Sequence, residues 1–193
     1  MGTSSWETAS RTMGGEILKM KKLIPFYSYA DQRIAVLTDK KFCSLLRSEL
    51  VRSKTLFSDA VDWLYRAKLE SIHLERQKDD FDILLDEVEV KPNRWDERIP
   101  QEFLEKVIDY DVRLIEKASG LEKDLALLIQ KLQEYKKAGN KAAGDITISI
   151  DVVIEKVDDI TAMFKEREAA FDINSLGLRD AFGRMRDRIR RSL

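Results

Sequence analysis

Apolar positions recur along this chain with helical spacing and almost nowhere with the alternation of a strand. From residue 101 the steps of 4 and 3 run without interruption through Val107, Asp111, Leu114, Ala118, Leu121, Leu125, Leu128, Leu132 and Tyr135. Such spacing holds one stripe of a helix against a neighbour for four heptads. It predicts a helix from Gln101 to the neighbourhood of Lys137, roughly 55 Å long at 1.5 Å per residue. Gly120 lies inside it. The stripe keeps its phase across that glycine, so one continuous helix is expected, with Ser119 and Glu122 placed to form a local cap.

A second heptad passes through Phe57, Leu64, Ser71, Lys78 and Leu85 at one position and Ala60, Ala67, Leu74, Phe81 and Val88 at the other. Its phase reaches back through Ser53, Leu50, Leu46 and Cys43. Between Phe26 and Lys91 there is neither Gly nor Pro. The expectation is one unbroken helix from about 40 to 90, capped by Thr38 or Asp39, after a shorter helix through Ile34 and Leu37. Pro92 and Pro100 frame a clear break. Gly139-Asn140 and Gly144-Asp145 bracket a short turn, a C-terminal stop followed by a new N-cap. The next segment reads two ways. Ile146, Ile148, Ile150 and Val152 alternate like a strand, whereas Ile146, Ile150, Val153, Val157, Ile160 and Phe164 step like a helix. The helical pattern is longer and no partner strand exists, so a helix is expected, forming an antiparallel hairpin with the one before it.

The ends differ from the middle. Residues 1–15 are rich in Ser, Thr and Gly and are expected to be disordered. A short helix, Glu16 to Ile24, would be stopped by Pro25. Residues 173–193 carry an apolar stripe of Leu178, Phe182, Met185 and Ile189 among Arg179, Arg184, Arg186, Arg188, Arg190 and Arg191. The predicted organisation is therefore a disordered segment over 1–15, a helical bundle domain over 16–172 and a basic amphipathic helix over 173–193. The fold class is all-α: an elongated antiparallel helical bundle or coiled coil of three to four long helices with short terminal helices.

Composition narrows the chemistry. The 193 residues are 36% charged, above the usual quarter, which suits long solvated helices. A single Cys43 excludes an intrachain disulfide, and a single His73 excludes any site that needs two histidines. No apolar run approaches the roughly 20 residues that span a bilayer, and the first fifteen residues lack the apolar core of a signal peptide. Trp6 stands where myristoylation needs Ser or Thr. A cytoplasmic protein is expected. The net charge of −1 is uneven: +4 over 1–52, −5 over 53–138, −4 over 139–172 and +4 over 173–193. Basic ends either fold onto the acidic middle or meet an acidic partner.

Enzyme motifs are missing: no phosphate-binding Gly loop, no GxGxxG, no HExxH and no CxxC. Cys43 sits on the apolar seam and reads as a small core residue. Glu70-Ser71-Ile72-His73 has the Glu-x-x-His spacing that resembles ferritin-like di-iron bundles, but it lies off the seam and reads first as a solvated histidine. Acidic pairs four apart occur at Glu75/Asp79, Glu105/Asp109, Glu155/Asp159 and Glu168/Asp172, more often than the one or two that composition predicts. Such pairs share a helix face and repel unless a cation sits there. The first three resemble the acidic motifs of PhoU-like phosphate-regulatory proteins, which implies a helical bundle with metal sites; that family's longer acidic motifs are not matched.

The expected function is non-enzymatic, with no cofactor and no metal: a helical scaffold or adaptor that binds protein. The basic tail, Arg179, Arg184, Arg186, Arg188, Arg190 and Arg191, is the candidate partner-binding element, because Arg forks suit carboxylate and phosphate. A homodimer is expected, since polar seam positions such as Ser71, Lys78 and Asp111 require matching neighbours. The alternatives are a peripheral membrane or regulatory bundle, PhoU-like or BAR-like, that takes anionic lipid or metal, and a metal-dependent enzyme of ferritin-like type. An anionic membrane surface is a possible partner of the tail. Nucleic acid is not favoured, because Trp63, Tyr65, Trp95 and Phe103 lie among acidic residues.

Overall fold

Capping chemistry sets the first element. Ser4 Oγ accepts from the Glu7 amide at 3.2 Å, and the Glu7 carboxylate accepts from the Ser4 amide at 3.1 Å. This reciprocal capping box starts α1, Ser5–Thr12. The computed structural model describes residues 4–69, 72–88, 101–139 and 144–171. Five further helices follow α1: α2 Gly14–Leu23, α3 Gln32–Ala67, α4 Ile72–Glu87, α5 Gln101–Lys137 and α6 Gly144–Phe171. No strand occurs among the described residues, so the all-α expectation holds. Residues 145–155 are helix. Part of the stretch expected to be disordered is α1, because Ser4 and Glu7 supply partners for its otherwise orphaned amides.

The helix expected over 40–90 is two helices that begin earlier than predicted. Asp31, not Thr38 or Asp39, caps the start of α3: its Oδ1 accepts from the amides of Arg33 and Ile34 at 2.9 and 3.0 Å. Thr38 and Asp39 lie one to two turns inside the helix and are buried. The end of α3 is set by Lys68, whose backbone is left-handed at φ 58°. The Leu69 amide bonds the Leu64 carbonyl and the Lys68 amide bonds the Tyr65 carbonyl, each at 3.0 Å. This is the Schellman arrangement, with lysine where glycine is usual. No glycine marked the stop, which is why the pattern read as continuous.

The described chain clusters into two units. Unit 2 comprises the described residues of 41–90 and 113–163. Within it α4 doubles back on α3: Phe57 stacks on Phe81 at 5.5 Å, Lys54 pairs with Asp82 at 2.9 Å and the Tyr65 hydroxyl donates to Glu75 at 2.7 Å. α5 and α6 pair in the same reversed sense, through Lys131 with Ser149, Asp124 with Lys156 and Lys117 with Asp159. Gly120 is the point of close approach, because a Cβ there would stand 3.0 Å from the Lys156 ammonium. The seam from Leu114 to Leu132 is completely buried, as are Val153, Val157 and Ile160 on α6. Each such leucine, valine or isoleucine contributes about 1.5–3 kcal/mol by leaving water.

Unit 1 comprises the described residues of 4–40, 101–112 and 164–171. Between α2 and α3 the chain makes a tight turn in which the Tyr27 amide bonds the Ile24 carbonyl at 3.1 Å. Pro25 and Phe26 occupy its centre, the layout of a type II turn. Phe26 takes the position that glycine prefers, at φ 64°, a conformation that costs an ordinary residue about 1–2 kcal/mol. Ile24 and Tyr27 on either side are buried, while Phe26 is 86% exposed.

Lys68→Gly is predicted to stabilise the protein by about 1 kcal/mol, because glycine reaches the left-handed region without a Cβ penalty. A thermal melt is expected to shift up by roughly 2–4 °C. A lower melting temperature would contradict the left-handed cap.

Candidate functional site

Two of the apolar seams carry a charged residue in unit 1, and the fold brings the two together. Asp111 belongs to the α5 stripe. Arg167 is the next step of three after Phe164 on the α6 stripe. Both side chains are 0% exposed. Arg167 Nε donates to Asp111 Oδ1 at 2.5 Å. Its Nη2 donates to Asp39 Oδ1 at 2.7 Å and to the Tyr29 hydroxyl at 3.2 Å, and its Nη1 donates to Glu168 Oε1 at 2.8 Å. The guanidinium carbon lies 5.0 Å from the ring centre of Phe171. All three nitrogens of the guanidinium are thus engaged.

The other oxygen of Asp111 is filled by two phenols. Tyr27 and Tyr29 donate to Oδ2 at 2.6 and 2.7 Å. Their rings meet edge to face at 5.5 Å, and Tyr29 also packs on Phe171 at 5.8 Å and on Trp6 of α1 at 6.2 Å. The turn that carries the two tyrosines is tied to α3 by Thr38, whose hydroxyl accepts from the Ser28 amide at 3.2 Å and donates to its carbonyl at 2.9 Å. Three separate stretches of unit 1, α3, the turn after α2 and α5, therefore converge on one arginine of α6.

Burial pushes the Asp111 carboxyl up from its ordinary range, against the opposing pull of Arg167 and the two phenols. Burial and the neighbouring Asp111 charge hold both tyrosines well above the usual phenol range. Removing one partner of such a set leaves an uncompensated buried charge and costs about 3–5 kcal/mol. The cluster presents none of its donors to solvent. Chemically it is a lock between helices, its groups turned on one another, with the Glu168 carboxylate partly exposed at its edge.

The sequence-predicted candidates fall elsewhere. Arg179, Arg184, Arg186, Arg188, Arg190 and Arg191 lie outside the described residues, as do Glu70, Trp95 and Asp172. Cys43 is buried on the seam and His73 is exposed on α4. One member of each of three acidic pairs has its own partner: Glu75 accepts from Tyr65, Glu105 from Gln101 at 2.7 Å, and Asp159 from Lys117 at 2.5 Å. Among the described residues no three His, Cys, Asp or Glu side chains gather as a metal site would require. Trp63 is half-buried between Arg66 and Lys136, whose charges lie 5.2 and 5.7 Å from its ring. Of the buried cluster, Asp111 stood out in the sequence as a polar seam position and Asp39 as a cap. Arg167 and the two tyrosines were not singled out, although Arg167 continues the α6 stepping.

Comparison with protein-family profiles, curated proteins and solved structures returned no match.

The pH dependence follows from the phenols. In the native state Tyr27 and Tyr29 keep protons that the unfolded chain gives up near pH 10. Their contribution to stability is whole below about pH 10 and falls as pH rises beyond it. In an alkaline titration these two of the five tyrosines are expected to show tyrosinate absorbance only as helical circular dichroism is lost, with Tyr29→Phe removing one phenol from that late step. Ionisation of all five with the helical signal intact would contradict the cluster.

Proposed function

We propose that the chain is a non-enzymatic helical scaffold, an antiparallel bundle that binds a protein partner and pairs with a second copy of itself. The observation that carries this reading is the division of labour between interior and surface. In unit 1 Arg167, Asp111, Tyr27 and Tyr29 are spent inside on one buried cluster. Solvent-facing helix positions in unit 2, by contrast, carry β-branched apolar residues. Ile148 and Val152 stand one turn apart on α6 and are 62% and 42% exposed. Residues four apart share a helix face, and such a pair suits a second helix laid against it. The Arg-rich segment over 173–193 adds a cationic element that would favour an acidic partner.

Sedimentation over a range of concentrations tests the self-pairing, and affinity capture from the native source tests the partner. The full chain is expected to dimerise, and Ile148→Asp with Val152→Asp to yield a monomer of unchanged helicity, since both side chains face solvent. A chain ending at Asn174 is expected to lose the captured partner. A full chain that is monomeric throughout and captures nothing would refute the scaffold reading.

A further inference from the structure

The turn between α2 and α3 holds an aromatic ring in water at a strained backbone position. Phe26 is the most exposed large apolar residue described, at 86%, and its φ of 64° is one that glycine would adopt freely. Nothing in the packing of unit 1 accounts for a phenylalanine there. The turn is closed by the Tyr27–Ile24 hydrogen bond, and its flanks are anchored by Ile24 and Tyr27, both buried. Asp111 holds Tyr27 from the other side. The same anchors that fix the turn therefore aim Phe26 outward.

The helix leading into the turn repeats this character. α2 buries Ile17 and Met20 on one face. Leu18 and Leu23 are exposed, at 62% and 51%, on the two flanks of its solvent side, and Lys21 and Lys22 are exposed beside them. From 16 to 26 the chain holds three lysines against one glutamate. Exposed apolar side chains set among lysines on a short helix, followed by a protruding aromatic, match the chemistry of an anionic bilayer surface. There the ammonium groups meet the headgroups while the apolar side chains enter the acyl boundary. A protein partner would need acidic groups placed opposite these lysines, whereas an anionic bilayer supplies them over its whole surface. Helix α2 is far too short to span a bilayer, and among the described residues no helix is long and apolar enough to do so.

We propose that the outer face of α2 and the Phe26 turn form a docking surface for anionic phospholipid membranes, with Phe26 as the inserted wedge and Lys21 and Lys22 as the headgroup contacts. The strain at Phe26 is then explained by function, since a glycine at that position would relax the turn and remove the wedge.

The test is co-sedimentation of the full chain with vesicles of phosphatidylcholine and phosphatidylserine, and with phosphatidylcholine alone. Binding is expected to the mixed vesicles, to weaken with added salt, and to be absent from pure phosphatidylcholine. Phe26→Gly separates docking from folding. It is expected to raise the melting temperature while weakening vesicle binding about tenfold or more. Lys21→Glu with Lys22→Glu is expected to weaken binding by roughly fivefold or more per lysine. Two results would overturn the proposal. One is full vesicle binding by Phe26→Gly, which would move any membrane contact to the Arg-rich segment. The other is no vesicle binding by the wild-type chain at low salt; if Phe26→Gly then abolished self-association, the face would belong to a second copy of this chain.

Discussion

One ion pair organises unit 1. Arg167 and Asp111 lie at apolar seam positions of α6 and α5, wholly out of water. Charges there are tolerable only because each is saturated. The carboxylate accepts from Arg167, Tyr27 and Tyr29, and the guanidinium reaches two further carboxylates. A buried pair of this kind adds little over apolar residues of equal volume, but breaking it costs several kcal/mol. It therefore discriminates strongly between helix alignments: a one-turn slip of α6 along α5 would carry Arg167 away from Asp111 and leave both charges unpaired. The pair also reaches beyond its own helices. Asp39 binds α3 to it, the two tyrosines bind the turn after α2, and Trp6 adds α1 by packing on Tyr29.

That arrangement bears on both functional readings. The cluster keeps Arg167, Asp111, Tyr27 and Tyr29 out of water, so other side chains of unit 1 are left to meet other molecules. In unit 2 the surface offers β-branched residues on α6. In unit 1 it offers an aromatic ring on a turn whose shape is dictated by the buried tyrosines. The pairing proposed through α6 of unit 2 and the docking proposed through α2 of unit 1 rest on different residues. The two ideas can stand or fall independently.

Much of the fold was legible in the sequence, and the misses have physical causes. The α5 seam was readable because its 4-3 stepping is long and nearly all of it is leucine-like; every position from Val107 to Leu132 is buried. The helix over 145–155 was readable because its stepping outlasts the local alternation. The break at Lys68 was not, because a lysine occupies the left-handed cap and a heptad phase happens to continue into α4. Asp39 was misread as a cap for a related reason: Asp at a helix start is ambiguous between capping and pairing, and the deciding partner lies 128 residues away. The Arg167–Asp111 pair was within reach. Opposite charges on two seams that an antiparallel hairpin brings to the same level are a contact prediction. Phe26 carried no such signal, since a left-handed phenylalanine is invisible until the turn is seen.

The most direct test of the account is a double-mutant cycle on the ion pair, read by denaturant unfolding. Arg167→Met alone leaves Asp39 and Asp111 buried without their cation and is predicted to cost about 3–5 kcal/mol. Adding Asp111→Leu removes one of the stranded charges. The double variant is predicted to be more stable than the sum of the single losses implies, by more than about 1 kcal/mol. Losses that simply add would mean that Arg167 and Asp111 do not act as a unit, and that something else holds this part of the protein together.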